Sequence, residues 1–328
     1  MSLYLRFLSG FIFCARLCGS TLDLVGAMPN AYLLPRGQYE ATLKYHRVNS
    51  ALDILNFRDL SNSNSETIGD MEGMGLGLNF GISPNLTLLY DRDFNEYDFG
   101  RGILKVETED LSLRRNLRVF PGLHQVLSMQ IGYRKNKGSG LNKLFSNVTF
   151  NNASFTLSPT RKIEFGGVGD GEKSISLMLS RDFRNKWTGT LYGEWGHAQI
   201  TNQLRTDLPV NELQEVLDVL EYRQTRKEAG YVLQYQMDKK NLLSFHYRYL
   251  LLNRDKDVSD PVRVNEILKG RYQLQTDPRR YWFVEGKYSK NQFVGDHSFL
   301  YNKRVASRSS RNYGHLSFGY TFRYGFGG

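Results

Sequence analysis

The side chains best suited to chemistry in this chain are charged residues that recur at every second position inside otherwise apolar stretches. Glu40, Lys44 and His46 share one parity, opposite Tyr39, Ala41, Leu43 and Tyr45. The same relation holds for Asp91, Lys105 and Glu107, Arg134, Glu194, Glu228, His246 and Arg248, Lys269 and Arg271, Glu285 and Lys287, His315, and Arg323. Cations and anions nearly balance. If these residues line one lumen, they can make ion pairs and hydrogen bonds across it, with at most a mild preference for anions, because a steep filter needs an excess of one sign. Covalent catalysis is a poorer reading. His46, His124, His197, His246, His297 and His315 fall on different strands, turns or loops, and no spacing sets a nucleophile beside a base. The glycine runs at residues 100–102 and 166–171 do not join a strand to a helix, so they are weak phosphate cradles. The carboxylates near the second run are too few for a good calcium site. Cys14 and Cys18 are the only thiols. The residues imply neither a cofactor nor a metal.

Residues alternating at period two are positioned by strands. Met74, Leu76, Leu78, Phe80 and Ile82 alternate with Gly75, Gly77, Asn79 and Gly81, and Ser83-Pro84-Asn85 then turns the chain into Leu86, Leu88 and Tyr90. Similar patterns follow at Leu104 to Leu113 (with a bulge expected near Glu109-Asp110), Leu127 to Arg134, Ser174 to Ser180, Trp187 to Trp195, Glu228 to Met237, Leu243 to Leu251, Leu268 to Leu274, Trp282 to Tyr288 and Leu316 to Tyr324. With the first stretch, this makes twelve strands. Their connections alternate without exception between short and longer, the longer ones falling notably at about 49–71, 135–172, 197–226 and 290–313. Within the third of these, residues 210–220 are amphipathic at helical spacing. An even strand number with long loops at one rim and short turns at the other is the pattern of an outer-membrane barrel.

Composition agrees with that architecture. The chain is 40% hydrophobic and 13% aromatic, yet its mean hydropathy is -0.46, so apolar residues are diluted among polar ones. After the first thirty residues no run approaches the ~18 to 20 apolar residues of a spanning helix. Twenty Tyr, 20 Phe and 3 Trp exclude intrinsic disorder. Tyr39, Tyr45, Tyr90, Tyr133, Trp187, Trp195, Tyr247, Tyr249, Trp282, Tyr288 and Tyr324 gather near strand ends, where interfacial girdles are expected. The fold expected is all-β, a transmembrane antiparallel up-and-down barrel of about twelve strands.

Residues 1–27 read as a signal peptide, with Arg6, an apolar stretch from Phe7 to Phe13, and Val25-Gly26-Ala27 as the cleavage site, although Arg16 interrupts the apolar region. Residues 28–328 would then form the barrel, located in a bacterial outer membrane. The net charge of +10 lies largely in long loops, for example Lys135, Lys137, Lys143, Arg161 and Lys162, where lipopolysaccharide phosphate is the nearest polyanion. No stacking platform accompanies the charge, so nucleic acid is not an expected partner.

Over the whole mature chain the sequence resembles bacterial outer-membrane β-barrel proteins. Its closing HLSFGYTFRYGF is similar to the C-terminal strand that the barrel-assembly machinery recognises, but the chain ends in Gly327-Gly328 instead of an aromatic residue. Residues 28–93, with MPNAYLLPRGQYEATL and GLGLNFGISPNLTLLYDRDF, also resemble YjbH-like proteins associated with exopolysaccharide secretion. The expected function is a narrow polar-lined pore or transport-related channel for small polar or saccharide-like solutes. A non-conducting accessory barrel in exopolysaccharide export is the alternative, and an outer-membrane lipid hydrolase the third reading. Cysteines introduced at Ser61 and Asn151 should react with an impermeant maleimide on intact cells, while one at Asn241 should react only after lysis; the opposite pattern would invert the strand map.

Overall fold

The structure, a computed structural model, describes residues 28–48, 71–98, 103–139, 142–150, 153–183, 186–206, 221–255, 263–291, 294–300 and 313–325. Among them are thirteen strands: β1 (Gln38–Val48), β2 (Met71–Ser83), β3 (Leu86–Asp98), β4 (Ile103–Phe120), β5 (Gln125–Ser139), β6 (Asn142–Phe150), β7 (Ala153–Phe183), β8 (Trp187–Thr206), β9 (Tyr222–Gln236), β10 (Asn241–Arg254), β11 (Val264–Asp277), β12 (Arg280–Ser289) and β13 (Tyr313–Gly325). Neighbours in sequence pair antiparallel around the sheet, β1 pairs with β13, and β5 pairs with β7. Twelve strands therefore close into a barrel. The thirteenth, β6, pairs with the first half of β7 and forms a hairpin that continues beyond the wall.

Alternation along each strand sorts side chains to the two faces. The outer wall is apolar in its middle, where Leu43, Met74 and Leu191 are 62%, 65% and 64% exposed. The eleven aromatics from Tyr39 to Tyr324 named above all share the outward parity. Tyr39 packs on Tyr324 with ring centroids 5.3 Å apart, Trp187 on Tyr235 at 4.6 Å, and Trp282 on Tyr320 at 4.7 Å. Trp187 and Trp195 sit eight residues apart on β8, about 26 Å along the strand at ~3.3 Å per residue, or roughly 20 Å along the membrane normal at a tilt of ~40°, so the pair spans most of an apolar band ~25 Å tall.

Towards the end carrying the longer connections the two faces exchange character. Inside, Met71, Tyr97, Leu104, Val106, Ala198, Ile200, Tyr222, Phe299 and Tyr313 form an apolar cluster. Outside, Arg92 pairs with Glu107, and Lys105 with Glu96 at 2.7 Å. This inversion corrects two expectations. Lys105 and Glu107 stand on the outer wall, because Leu104 and Val106 share the inward parity of Asp110 and Ser112 with no bulge at Glu109-Asp110; the register shift in β4 comes later, between Asn116 and Arg118. Above an apolar band the water-facing wall is the outer one, so the usual reading of charge as inward fails there.

Three connections differ from expectation. Residues 135–172 are mostly strand, as the end of β5, β6 and β7. Strands β8 and β9 extend into the 197–226 stretch. The connection from β3 to β4 spans only residues 99–102, because both strands run on past their apolar portions. The leader expected at 1–27 and the helical stretch expected at 210–220 fall outside the described residues. A charge placed in the middle of the band should be costly: Leu191→Arg is expected to destabilise the folded protein in lipid by ~2–4 kcal/mol, read by denaturant titration in vesicles, whereas Lys105→Leu should cost little.

Candidate functional site

Inward parity gathers most of the charged residues singled out from the sequence. Glu40, Lys44, His46, Arg134, Glu194, Glu228, His246, Arg248, Lys269, Arg271, Glu285, Lys287, His315 and Arg323 all project into the interior. Room for them comes partly from glycines on the facing strand. A Cβ at Gly75 would lie 2.1 Å from Lys44 Cε, so the Lys44–Asp93 pair (2.8 Å) crosses β2 only because that position is bare.

The densest cluster surrounds Arg226, which is buried on β9. Its guanidinium reaches Glu172 at 2.6 Å, and also Glu194 and Glu228. Arg134 approaches Glu172 from β5 at 3.4 Å, and Arg248 approaches Glu228 from β10 at 3.1 Å. The Tyr192 hydroxyl donates to Glu228 at 2.8 Å and contacts His246 Nε2 at 2.7 Å, so the imidazole nitrogen carries the hydrogen of that second bond. Elsewhere Arg323 holds Glu40 at 2.6 Å, and Arg271 holds Glu285 at 2.7 Å while lying 4.0 Å over the Phe283 ring. His46 contacts Asn95 at 2.5 Å and lies 5.8 Å from the His315 ring. Sequence reasoning missed Arg226, Glu172 and Tyr192. The first two were legible, since Arg226 shares the parity of Glu228, and Glu172 that of Ser174 and Ser176.

Two segments enter this interior from opposite ends. From the short-turn end, residues 28–35 fold inward. Ala31 N–H donates to Ser180 Oγ (2.8 Å), Ser128 Oγ donates to the Ala31 carbonyl (2.5 Å), and Leu34 N–H donates to Thr87 Oγ1 (3.0 Å). Arg114 reaches Asn30 and the Tyr32 carbonyl. A left-handed Gly37 (φ 75°) then turns the chain into β1, and a Cβ at Gly81 would strike the Pro35 carbonyl at 2.0 Å.

From the other end, residues 294–300 of the β12–β13 connection dip inward. Their carbonyls accept from Asn265 (to Val294, 2.7 Å), Arg134 (to Gly295, 2.9 Å) and Tyr222 (to Ser298, 2.8 Å), while Phe299 N–H donates to Asp170 (3.1 Å). Asp296 bonds Lys287 and lies 3.5 Å from Arg248. Burial alone would raise the Asp296 carboxyl, but these two cations hold it well below the usual carboxylate range. Burial pushes His297 down to about 4, against the opposing pull of Asp296. Its Nε2 lies 2.9 Å from the Tyr97 hydroxyl. Gly295 adopts φ 90° against Leu250, where a Cβ would meet a methyl carbon at 2.5 Å.

Next to the first insert lies a cavity of about 260 Å³, floored by Met28 and Pro29 and lined by Arg114, Arg226, His246 and Lys269 among others, and also by Arg134 and Arg248, which hold the second insert. It is polar and large enough for several waters.

The solved NanC porin matches this fold with a TM-score of 0.51 at 9% identity, over 86% of this chain and 98% of the porin. The translocator domain of the autotransporter NalP from Neisseria meningitidis matches with a TM-score of 0.51 at 11% identity, over 98% and 97%. The fold is thus that of bacterial outer-membrane β-barrels. No family model and no curated protein matches the sequence, so neither supports the narrower YjbH-like resemblance of residues 28–93.

Removing one partner from a buried charge cluster leaves the others uncompensated. Arg226→Met is expected to destabilise the barrel by about 3–5 kcal/mol, measured by the temperature at which an unboiled sample loses compact migration on a gel. Adding Glu194→Gln should recover part of the loss; equal losses in the single and double variants would show that the cluster does not act as a unit.

Proposed function

We propose that the protein is an outer-membrane channel for small polar or saccharide-like solutes, delivered by the leader at residues 1–27, inserted by the barrel-assembly machinery and surrounded by outer-membrane lipid and lipopolysaccharide. The structure is its closed state, with residues 28–35 and 294–300 as the obstructing elements. One observation carries the reading. The cavity beside residues 28–29 is polar, and a charged, hydrogen-bonding wall meets both inserts, so displacing either one exposes a surface that tolerates water. A close-packed apolar interior would serve a purely structural barrel better. The NanC porin's name supports the channel class but not a particular solute. The near balance of charge within the wall favours neutral, hydroxyl-rich solutes over strongly charged ones.

The runner-up, a non-conducting accessory barrel in exopolysaccharide export, is favoured by the presence of two inserts where one would suffice to close a lumen. The sequence sets no Ser, His and carboxylate at a spacing that favours the lipid-hydrolase reading, and His46, His246 and His297 contact Asn95, Tyr192 and Tyr97, with His315 beside His46.

Planar-bilayer recording decides between the first two. Asp296→Asn removes the charge that Lys287 and Arg248 hold, so its open time should exceed that of the wild type at neutral pH. The groups around His297 are Asp93 and Tyr97 of β3, Arg134 of β5, Lys287 of β12, His315 of β13 and its neighbour Asp296. The docked imidazole protonates only near 4, whereas a released one takes its proton near ~6.5. Docking is therefore fully favoured above pH ~6.5 and weakens as pH falls towards 4, so wild-type open time should rise across that window. If neither protein shows stepwise conductance at any pH, the channel reading fails.

A further inference from the structure

A groove of about 1190 Å³ runs along the outer wall where β3, β4, β5, β7 and β8 rise above the apolar band. Four lysines line it: Lys105, Lys135, Lys137 and Lys173. Three carboxylates, Glu96, Glu107 and Asp170, line it as well, and all are engaged, Asp170 on the interior side, where it accepts from Asn136 and from the Phe299 N–H. Lys105 holds Glu96, and Arg92 holds Glu107 while approaching Glu109 at 3.6 Å. Glu107 and Glu109 are the cross-strand neighbours of Lys137 and Lys135. With those carboxylates turned to Arg92, no carboxylate among the described residues pairs with Lys135, Lys137 or Lys173.

Two members of the glycine run at residues 166–171 line the groove on β7. A Cβ at the buried Gly169 would strike the Asn136 carbonyl at 2.4 Å, so glycine there lets β7 approach β5. A Cβ at Gly171 would lie 3.1 Å from the Tyr133 hydroxyl, so glycine there makes room for that hydroxyl, which floors the groove beside the lysines. Directly below, on the same strands, Tyr133, Ile131, Ile175 and Trp195 begin the apolar band. The groove is thus continuous with a surface that meets acyl chains, and its cations stand at the level of lipid headgroups.

We propose that this groove binds the phosphorylated headgroup of an outer-leaflet lipid, with its acyl chains lying on the band beneath. Lysines without carboxylate partners offer point charges to phosphate, the Tyr133 hydroxyl beside them adds a donor, and the apolar wall below supplies the second half of an amphiphile's chemistry. The inference rests on membrane placement and is independent of whether the barrel conducts.

The test uses the folded full chain in detergent with lipid A as the probe, counting bound molecules by native mass spectrometry. Bisphosphorylated lipid A should bind, and lipid A stripped of both phosphates should bind more than about tenfold more weakly. The variant K135Q/K137Q/K173Q should lose binding to a similar degree, while K239Q/K240Q at the opposite rim keeps it. Compact migration of unboiled samples confirms that each variant is folded. Equal binding of the dephosphorylated lipid, undiminished binding by the triple variant, or complete displacement by millimolar inorganic phosphate would overturn the proposal.

Discussion

Closure of the sheet is the constraint on which everything else depends. Inside a bilayer a peptide group has no water to bond with, so a strand at an open edge would leave a row of unpaired donors and acceptors. Here β1 meets β13 from Gln38–Gly325 to Arg47–Leu316, and β5 meets β7 from Gln125–Arg181 to Gly138–Val168. With those two seams made, no wall strand has a free edge within the band. Side chains are then free to specialise by face: the outer parity can be wholly apolar because the backbone needs nothing from it, and the inner parity can be charged because lipid never reaches it.

The enclosed charges raise a second problem. A guanidinium or carboxylate taken from water must be paired and hydrogen-bonded or it costs several kcal/mol. The interior answers with shared partners instead of isolated pairs: Arg226 serves Glu172, Glu194 and Glu228, while Arg134 and Arg248 back two of those carboxylates from neighbouring strands. Such a network couples β5, β7, β8, β9 and β10 on one side of the barrel. Its cations also hold the inserted loop, since Arg134 reaches the Gly295 carbonyl and Arg248 approaches Asp296. Wall stability and loop docking therefore share components, and a change at the cluster is felt by both.

The fold was legible wherever one face met lipid, because only there does a two-residue period carry an unbroken apolar parity. Strands such as β2, with Met74 to Ile82 outward, and β10, with Leu243 to Leu251 outward, announce themselves. The signal ended where the band ended. Lys105 and Glu107 look inward by charge, yet Leu104 and Val106 claim the interior, because above the lipid the solvent side is the outside. The same loss of contrast hid the upper halves of β3, β4, β5 and β8 and the hairpin of β6 with β7, where neither face is continuously apolar. Within the candidate site, Glu172 and Arg226 could have been found by extending parity two residues along a recognised strand. The inserts could not. Nothing in residues 28–35 or 294–300 has a period, since their backbone groups are satisfied by wall side chains such as Ser180, Thr87, Asn265 and Tyr222 that lie far away in sequence.

That mode of attachment has a mechanical meaning. A strand in the wall is fixed by main-chain ladders on both sides, and moving it breaks many hydrogen bonds cooperatively. An insert held by a few side-chain hydrogen bonds and an ion pair can leave while the wall stays intact, because every group it abandons can bond to water entering behind it. The polar wall chemistry at both insertion sites is hydroxyl, amide, carboxylate and guanidinium, all of which water serves well, whereas the apolar contacts of Phe299 with the upper cluster, of Ala31 with Val126, Met178 and Tyr192, and of Leu34 with Leu89 are the part of docking that water cannot replace. In the proposed channel, the balance between these two contributions sets the free-energy gap between an occluded and an open lumen, and the Asp296 bonds to Lys287 and Arg248 lie at the point where a single charge can tip it.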